Sequence, residues 1–104
     1  MKILFSNIFL SEMDQIVSYL IKNSSEVAAK NFTNNIEQMS KVLILNPEIG
    51  SNRYSYIFTK SKIRTYLISD FKYLVFYRLE KDCIYIERVL HTSRDIPNVL
   101  SSQN

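Results

Sequence analysis

The fold is decided by residues 63–91, which read IRTYLIS-DFK-YLVFYRL-EKD-CIYIERVLH. Three runs rich in aromatic and β-branched residues alternate here with short polar links, the pattern of consecutive strands. Strands joined by links this short pair in antiparallel fashion, because a parallel return needs a crossover of a dozen residues or more. With one earlier run of the same kind, the sequence predicts a four-stranded meander over Tyr54–Lys60, Ile63–Ser69, Tyr73–Leu79 and Cys83–His91.

Two amphipathic helices are predicted between a short first strand at residues 2–6 and the meander. The first is expected to begin at Ser11, an N-cap residue before an apolar stripe, and to end near Lys22. The second is expected to be capped at residues 24–25 and to stop before Pro47, which disfavours helix in the residue before it. The short link predicts an antiparallel hairpin. Its core stripe is Ala28, Phe32, Ile36, Met39 and Leu43.

The chain has 104 residues, of which 46% are hydrophobic, so it fits a single domain with one core. Its predicted order is a strand, two helices, four strands and a short helical turn at Ile96–Leu100. Helices followed by a run of strands indicate the α+β class. We therefore expect the N-terminal strand and the helical hairpin to pack on one face of an antiparallel sheet, with the other face partly open.

Composition excludes several kinds of site. Cys83 and His91 are the only cysteine and histidine, so neither an intramolecular disulfide nor a Cys-rich or multi-His metal site can form. No Gly-rich phosphate loop or nucleophile motif is present, and we expect no cofactor. No apolar run approaches the ~20 residues that a membrane-spanning helix requires. The sequence therefore favours a cytoplasmic protein with no membrane partner.

Arginine side chains fall near the ends of the predicted strands, on faces that they share with apolar residues. Arg88, for example, is expected on one face with Ile84, Ile86 and Leu90. Converging guanidinium groups would suit recognition of phosphate or carboxylate; alternatively, each pairs with an acidic residue nearby and extends off the sheet. The histidine either makes a structural hydrogen bond or acts as a general base. The target-binding candidates are Arg64, Arg78, Arg88, His91 and Arg94.

The segment Arg88–Leu100, RVLHTSRDIPNVL, resembles the C-terminal signature of ParE-type toxins in the RelE/ParE toxin superfamily. Tyr73–Arg78 is similar to the central strand of that family, and Asn46–Gly50 with Arg53 is similar to the loop after its helices. The resemblance extends over roughly residues 11–100. It implies the RelE/ParE-like fold and a growth-inhibiting toxin of a type II toxin–antitoxin system, a class that includes plasmid-stabilising pairs.

The resemblance also implies a partner, a cognate antitoxin (ParD-like or similar) from the same operon. Its C-terminal segment would lie along a groove of the toxin and bury apolar side chains there. Arginines at the rim of the groove would face acidic antitoxin residues. The candidates for antitoxin contact are Ile16, Leu20, Phe32, Ile36, Tyr54 and Tyr56.

The superfamily divides by target, since RelE-type members cleave messenger RNA on the ribosome and ParE-type members block DNA gyrase. The cleaving members carry basic residues on the central strands and a tyrosine in the C-terminal piece. Aligned with them, Arg94 matches one arginine, but Leu74 and Leu100 stand where another arginine and the tyrosine would be. Leucine can neither donate a proton nor stabilise phosphate charge. The resemblance therefore favours a gyrase-binding toxin without catalytic residues.

Two alternatives stay open. One is a ribosome-dependent, metal-independent endoribonuclease, in which Arg64, Arg88 and Arg94 stabilise phosphate charge and His91 or a tyrosine transfers the proton. The other is a member that binds only its antitoxin.

Overall fold

The computed structural model describes residues 1–55 and 62–101. These residues form four strands and three helices, in the predicted order apart from the first strand of the meander. The two long helices precede the last three strands, and a short helix ends the described chain. The elements are β1 (Lys2–Phe5), α1 (Asn7–Asn23), α2 (Glu26–Leu45), β2 (Ile63–Ile68), β3 (Tyr73–Glu80), β4 (Cys83–His91) and α3 (Ile96–Ser101).

The sheet confirms the α+β class and has the strand order β1-β4-β3-β2. Its last three strands form the predicted antiparallel meander. The sheet is nevertheless mixed, because β1 pairs in parallel with β4 from Lys2 opposite Cys83 to Phe5 opposite Ile86. The helical hairpin and the meander supply the long connection that a parallel pair requires.

The strand predicted at Tyr54–Lys60 is not seen where the structure describes it. Tyr54 and Ser55 lie in turns, and residues 56–60, including Tyr56, lie outside the described residues. Ser51 instead pairs with β2 through a single antiparallel bridge to Thr65. Both backbone hydrogen bonds of this bridge form, at 2.9 and 2.8 Å.

The first helix begins earlier than predicted. Its N-cap is Ser6, whose hydroxyl accepts a 2.9 Å hydrogen bond from the backbone N–H of Phe9. Ser11, the predicted cap, lies inside the helix, because Phe9 extends the buried stripe of Ile16 and Leu20 by two turns toward the N-terminus. The second helix is capped by Ser25, as expected, and ends with Asn46 as its C-cap.

A β-bulge in β4 changes which side chains share a face. Ile86 pairs with Tyr77, whereas Arg88 pairs with Phe76, so Glu87 is the extra residue. Ile86 therefore packs under the helices, while Leu90 packs on the other face. The expectation that Arg88 shares one face with Ile84, Ile86 and Leu90 is wrong, because strict alternation fails at a bulge.

Two apolar clusters lie on opposite faces of the sheet. The larger one joins α1 and α2 to the sheet and contains the predicted stripe from Phe32 to Leu43. The smaller one lies under α3, so the second face is partly covered by the C-terminal helix. Its buried members are Ile63, Phe76, Leu90, Ile96 and Leu100.

Candidate functional site

Arg64 fastens the loop after α2 to the sheet. Its Nη1 donates to the backbone carbonyl oxygen of Glu48 at 3.0 Å and to that of Gly50 at 2.8 Å. The guanidinium group thus satisfies carbonyl groups of its own chain. Arg64, one of the predicted target-binding residues, therefore has a structural role, because it holds this loop against the sheet.

Arg78 is surrounded by partners on the second face of the sheet. Its Nε donates to Glu87 Oε1 at 2.8 Å, and its Nη1 forms an ion pair with Glu80. The guanidinium carbon also lies 4.2 Å from the centre of the Tyr85 ring, a cation–π contact. Arg78 therefore matches the second interpretation of the strand arginines, in which each pairs with acidic residues nearby.

Arg88 forms an ion pair with Glu12 of α1. Its Nε and Nη2 donate to Glu12 Oε2 at 2.9 and 2.7 Å. The other carboxylate oxygen, Oε1, accepts a 3.0 Å hydrogen bond from the backbone N–H of Val89. Helix α1 is thereby fixed against β4 just beyond the point where pairing with β1 ends.

His91 and Arg94 line a cleft of about 220 Å³ between α1 and the end of β4. Within residues 1–55 and 62–101, the exposed side chain of Arg94 makes no ion pair or hydrogen bond. His91 Nδ1 accepts a 3.1 Å hydrogen bond from the backbone N–H of Ser93 and lies 2.8 Å from Ser93 Oγ. The remaining lining residues are Glu12, Gln15, Ile16, Tyr19, Tyr73, Val89 and Leu90.

Tyr73 forms the aromatic wall of this cleft. Its ring meets the His91 ring edge to face, with 5.0 Å between ring centres. Burial raises the pKa of the Tyr73 hydroxyl above its ordinary value, and the neighbouring Tyr19 raises it further. Tyr73 therefore stays protonated at neutral pH and can donate a hydrogen bond.

The sequence did not single out Glu12, Tyr19 and Tyr73, although they belong to this cleft. One signal was available for Glu12, because it precedes the buried Ile16 by one helical turn and so lies on the core-facing side of α1. Tyr19 follows three residues after Ile16. Tertiary packing alone brings these residues next to the end of β4, so the sequence pattern does not show that they belong to one cleft.

A larger hollow of about 940 Å³ lies beside β1 and the turn between β3 and β4. Two lysines, Lys2 and Lys81, and two acidic residues, Glu80 and Asp82, line it together with Met1, and Glu80 is paired with Arg78. It contains none of the predicted site residues.

Leu74 and Leu100, the two positions predicted to differ from RNA-cleaving toxins, lie together on the second face of the sheet. Leu100 is fully buried in the smaller cluster, and Leu74 packs against that cluster. Phe76 and Ile96 fill the space around them. The buried members of this cluster are apolar, are covered by α3 and include no acid–base group, while the ring of Tyr54 packs against them.

The residues predicted to contact an antitoxin are mostly core residues in this structure. Ile16, Leu20, Phe32 and Ile36 are at most 8% exposed and belong to the larger cluster. Tyr54 packs on the smaller cluster, with its ring 5.6 Å from that of Phe76. That these five residues contact the antitoxin stays a prediction. Tyr56, the sixth candidate, lies outside the described residues.

Other apolar side chains of β1 and the helical hairpin are accessible. Leu45 is 87% and Val27 is 68% exposed, so a partner that covered them would remove apolar surface from water. Further exposed apolar residues of this region are Leu4, Phe5, Ile8, Leu10, Tyr19, Ile21 and Ile44.

Among residues 1–55 and 62–101, no group of three or more His, Cys, Asp or Glu side chains could hold a metal ion. In the same ranges, no helix is both long and apolar enough to cross a membrane.

Comparison with known proteins is consistent with the fold and places the chain in a family. Residues 3–96 match the family described as "ParE toxin of type II toxin-antitoxin system, parDE". A solved structure described as "Chromosomal ParDE TA system from P. aeruginosa" contains a chain with a similar fold, with a TM-score of 0.71 and 18% sequence identity. The alignment covers 88% of this chain and 95% of that one. No curated protein sequence matched. Because the family match spans nearly the whole sequence, this chain is a member of the ParE toxin family of type II toxin–antitoxin systems.

Proposed function

We propose that this chain is a toxin that arrests growth by binding DNA gyrase in the cytoplasm, and that a cognate antitoxin neutralises it. Membership of the ParE family supports the toxin assignment. The choice of gyrase rests mainly on one observation. Leu74 and Leu100 lie in the apolar cluster under α3, where the RNA-cleaving members would carry an arginine and a tyrosine.

The polar candidates support a binding role more than a catalytic one. Arg64, Arg78 and Arg88 are held by carbonyl or carboxylate groups of the same chain. Releasing Arg88 would leave the buried Glu12 carboxylate without its partner, which costs free energy, whereas the more exposed contacts of Arg64 and Arg78 cost less to release. His91 and Arg94 keep unused donor capacity at the surface, and we assign target contact to these two residues.

The accessible apolar side chains of the hairpin support a macromolecular partner that covers them. Val27 and Leu45 lie at opposite ends of α2, so a partner reaching both would follow the length of that helix. An antitoxin segment with an apolar face along such a surface would bury them, as peptides do in hydrophobic grooves.

Ribosome-dependent RNA cleavage is the second candidate, and the cleft at the end of β4 is the observation that favours it. His91, Arg94, Tyr19 and Tyr73 lie around one space of about 220 Å³. A histidine, a protonated tyrosine and a free arginine are groups that can transfer protons and stabilise phosphate charge.

Induced expression in cells separates the two candidates. With the toxin gene expressed alone, we expect filamentous cells, DNA breaks and intact transcripts. Co-expression of the neighbouring antitoxin gene should restore growth. Cut transcripts in cells with intact DNA would instead support the nuclease, and normal growth without the antitoxin would contradict both functions. A matched variant, Arg94→Ala, should fold normally and show reduced toxicity.

A further inference from the structure

The cleft between α1 and the end of β4 has the composition of a site for a single negative charge. Both Glu12 oxygens are already occupied, one by Arg88 and the other by the Val89 N–H. The carboxylate is thus neutralised by an arginine, and its lone pairs face donors of its own chain. Arg94 is then the only uncompensated full charge among the described residues that line the cleft.

The hydrogen bond at His91 Nδ1 determines which ring nitrogen of His91 can donate. A backbone N–H can only donate, so the 3.1 Å contact from Ser93 N to His91 Nδ1 requires Nδ1 to accept. The neutral ring therefore carries its proton on Nε2. The edge-to-face contact with Tyr73 holds the ring plane in place. The ring thus offers an N–H donor, and the accepting nitrogen is already satisfied.

The remaining groups suit an oxygen acceptor on an aliphatic stem. The hydroxyls of Tyr19 and Tyr73 and the amide of Gln15 can each donate a hydrogen bond. Ile16 and Leu90 supply apolar surface in the same cleft. A carboxylate side chain combines one negative charge, two acceptor oxygens and a short apolar stem. A phosphate monoester carries about twice that charge, more than the one free guanidinium would balance, whereas a nucleic-acid phosphodiester carries a single charge, so the partner is chosen from the family and not from charge alone.

We infer that this cleft receives an Asp or Glu side chain of the antitoxin, with Arg94 as its ion-pair partner. The inference rests on the proposed function, because the antitoxin is the partner that the family supplies. It adds the contact by which the antitoxin would be recognised at this end of the toxin. Because His91 and Arg94 are also the groups assigned to target contact, an occupied cleft would be closed to the target.

The test is the affinity of the full chain for the antitoxin encoded beside it, measured by calorimetry at low and moderate salt. Arg94→Ala should weaken binding by about thirtyfold or more, since truncating one partner of a charge pair that binding buries has an effect of that size on affinity. Arg94→Lys should recover part of the loss. Lys62→Ala, which removes an exposed positive charge outside the cleft, is the matched control and should change the affinity by less than about twofold.

Double-mutant cycles then identify the acidic residue. Each Asp and Glu of the antitoxin is replaced by Asn or Gln and measured against the wild-type toxin and Arg94→Ala. One replacement should weaken binding to wild-type toxin but cause little further loss in the Arg94→Ala background. His91→Gln should weaken the same contact by a smaller factor.

Unchanged antitoxin affinity in Arg94→Ala, or the absence of any coupled acidic residue, would overturn the inference. Loss of toxicity with unchanged antitoxin affinity would also overturn it and assign Arg94 to the target alone. The proposed function is tested separately: normal gyrase activity in the presence of the toxin would contradict it. A coupled acidic residue would then still support the cleft as an antitoxin contact.

Discussion

The hydroxyl group of Tyr77 accepts a 2.9 Å hydrogen bond from the backbone N–H of Gly50. The same hydroxyl donates to the carbonyl oxygen of Pro47 at 2.8 Å. Tyr77 is fully buried on β3, so its side chain anchors the loop after α2 to a central strand of the sheet. Arg64 binds the same loop from β2. Together the two residues set where the helical hairpin ends relative to the meander.

Gly50→Ala should destabilise the protein. A methyl group there would lie 2.5 Å from the Tyr77 hydroxyl oxygen and 2.7 Å from the carbonyl oxygen of Thr65. Overpacking of this kind typically costs about 1–3 kcal/mol, and we expect the upper half of that range because one of the neighbours is backbone. Urea denaturation measures the change in the free energy of unfolding. Ile49→Ala, at a half-exposed neighbouring position, should cost under about 1 kcal/mol. Equal stability of Gly50→Ala and wild type would refute the close contact.

Stability should fall at alkaline pH in a way that depends on Tyr77. Burial raises the pKa of its hydroxyl, and the hydrogen bond from Gly50 opposes that shift in part. The unfolded chain therefore releases this proton first, near pH ~10, so stability is fully present below that pH and is lost as pH rises through the folded pKa. Tyr77→Phe should be less stable at neutral pH, because the Gly50 N–H and the Pro47 carbonyl lose a partner. It should also lose less stability between about pH 9 and 11. Parallel pH profiles for the two proteins would argue against this assignment.

The Glu12–Arg88 ion pair should matter far more than the Arg78–Glu80 pair. The Glu12 and Arg88 side chains are only 15% and 12% exposed, whereas that of Glu80 is 56% exposed. Breaking a buried pair by removing one partner costs about 3–5 kcal/mol, and we expect Glu12→Ala to approach that range because Val89 also loses an acceptor. Glu80→Ala should cost about 0–1 kcal/mol. Thermal and urea unfolding of both variants checks the difference, and equal costs would contradict the burial of the first pair.

The apolar filling of the second face predicts that Leu100 is a stabilising core residue. Leu100→Ala should cost about 2–5 kcal/mol, the usual range for a fully buried leucine. Leu67→Ala is the matched control on β2, where the side chain is 50% exposed, and should cost about 1 kcal/mol or less. If Leu100→Ala proved as mild as Leu67→Ala, α3 would not close the second face.

Local pattern was enough to predict the last three strands of the meander and the second helix. β4 has the predicted bounds, and Ser25 caps α2, because alternation, turn residues and capping act over a few neighbours. The start of α1 was predicted five residues late, since Ser11 looks like a cap locally and the burial of Phe9 is visible only in the packed structure.

Contacts distant in sequence could not be predicted from the residues alone. The parallel pairing of β1 with β4 joins residues at opposite ends of the chain. The bulge at Glu87 moves Arg88 to a different pairing partner, and its carboxylate partner, Glu12, is 76 residues away. The five candidate residues were therefore predicted as one set. The structure divides them into three that serve the fold and two that keep free donors.

The central claim is tested most directly with purified DNA gyrase. Supercoiling of a relaxed plasmid is followed as toxin is added, beside a ribosome-programmed messenger RNA cleavage assay that uses the same toxin preparation. Pre-incubation with the antitoxin serves as the control in both assays. We predict dose-dependent loss of supercoiling, intact messenger RNA and recovery of supercoiling with the antitoxin. Normal supercoiling together with cleaved messenger RNA would contradict the gyrase assignment and make the cleft at His91 and Arg94 a candidate nuclease site.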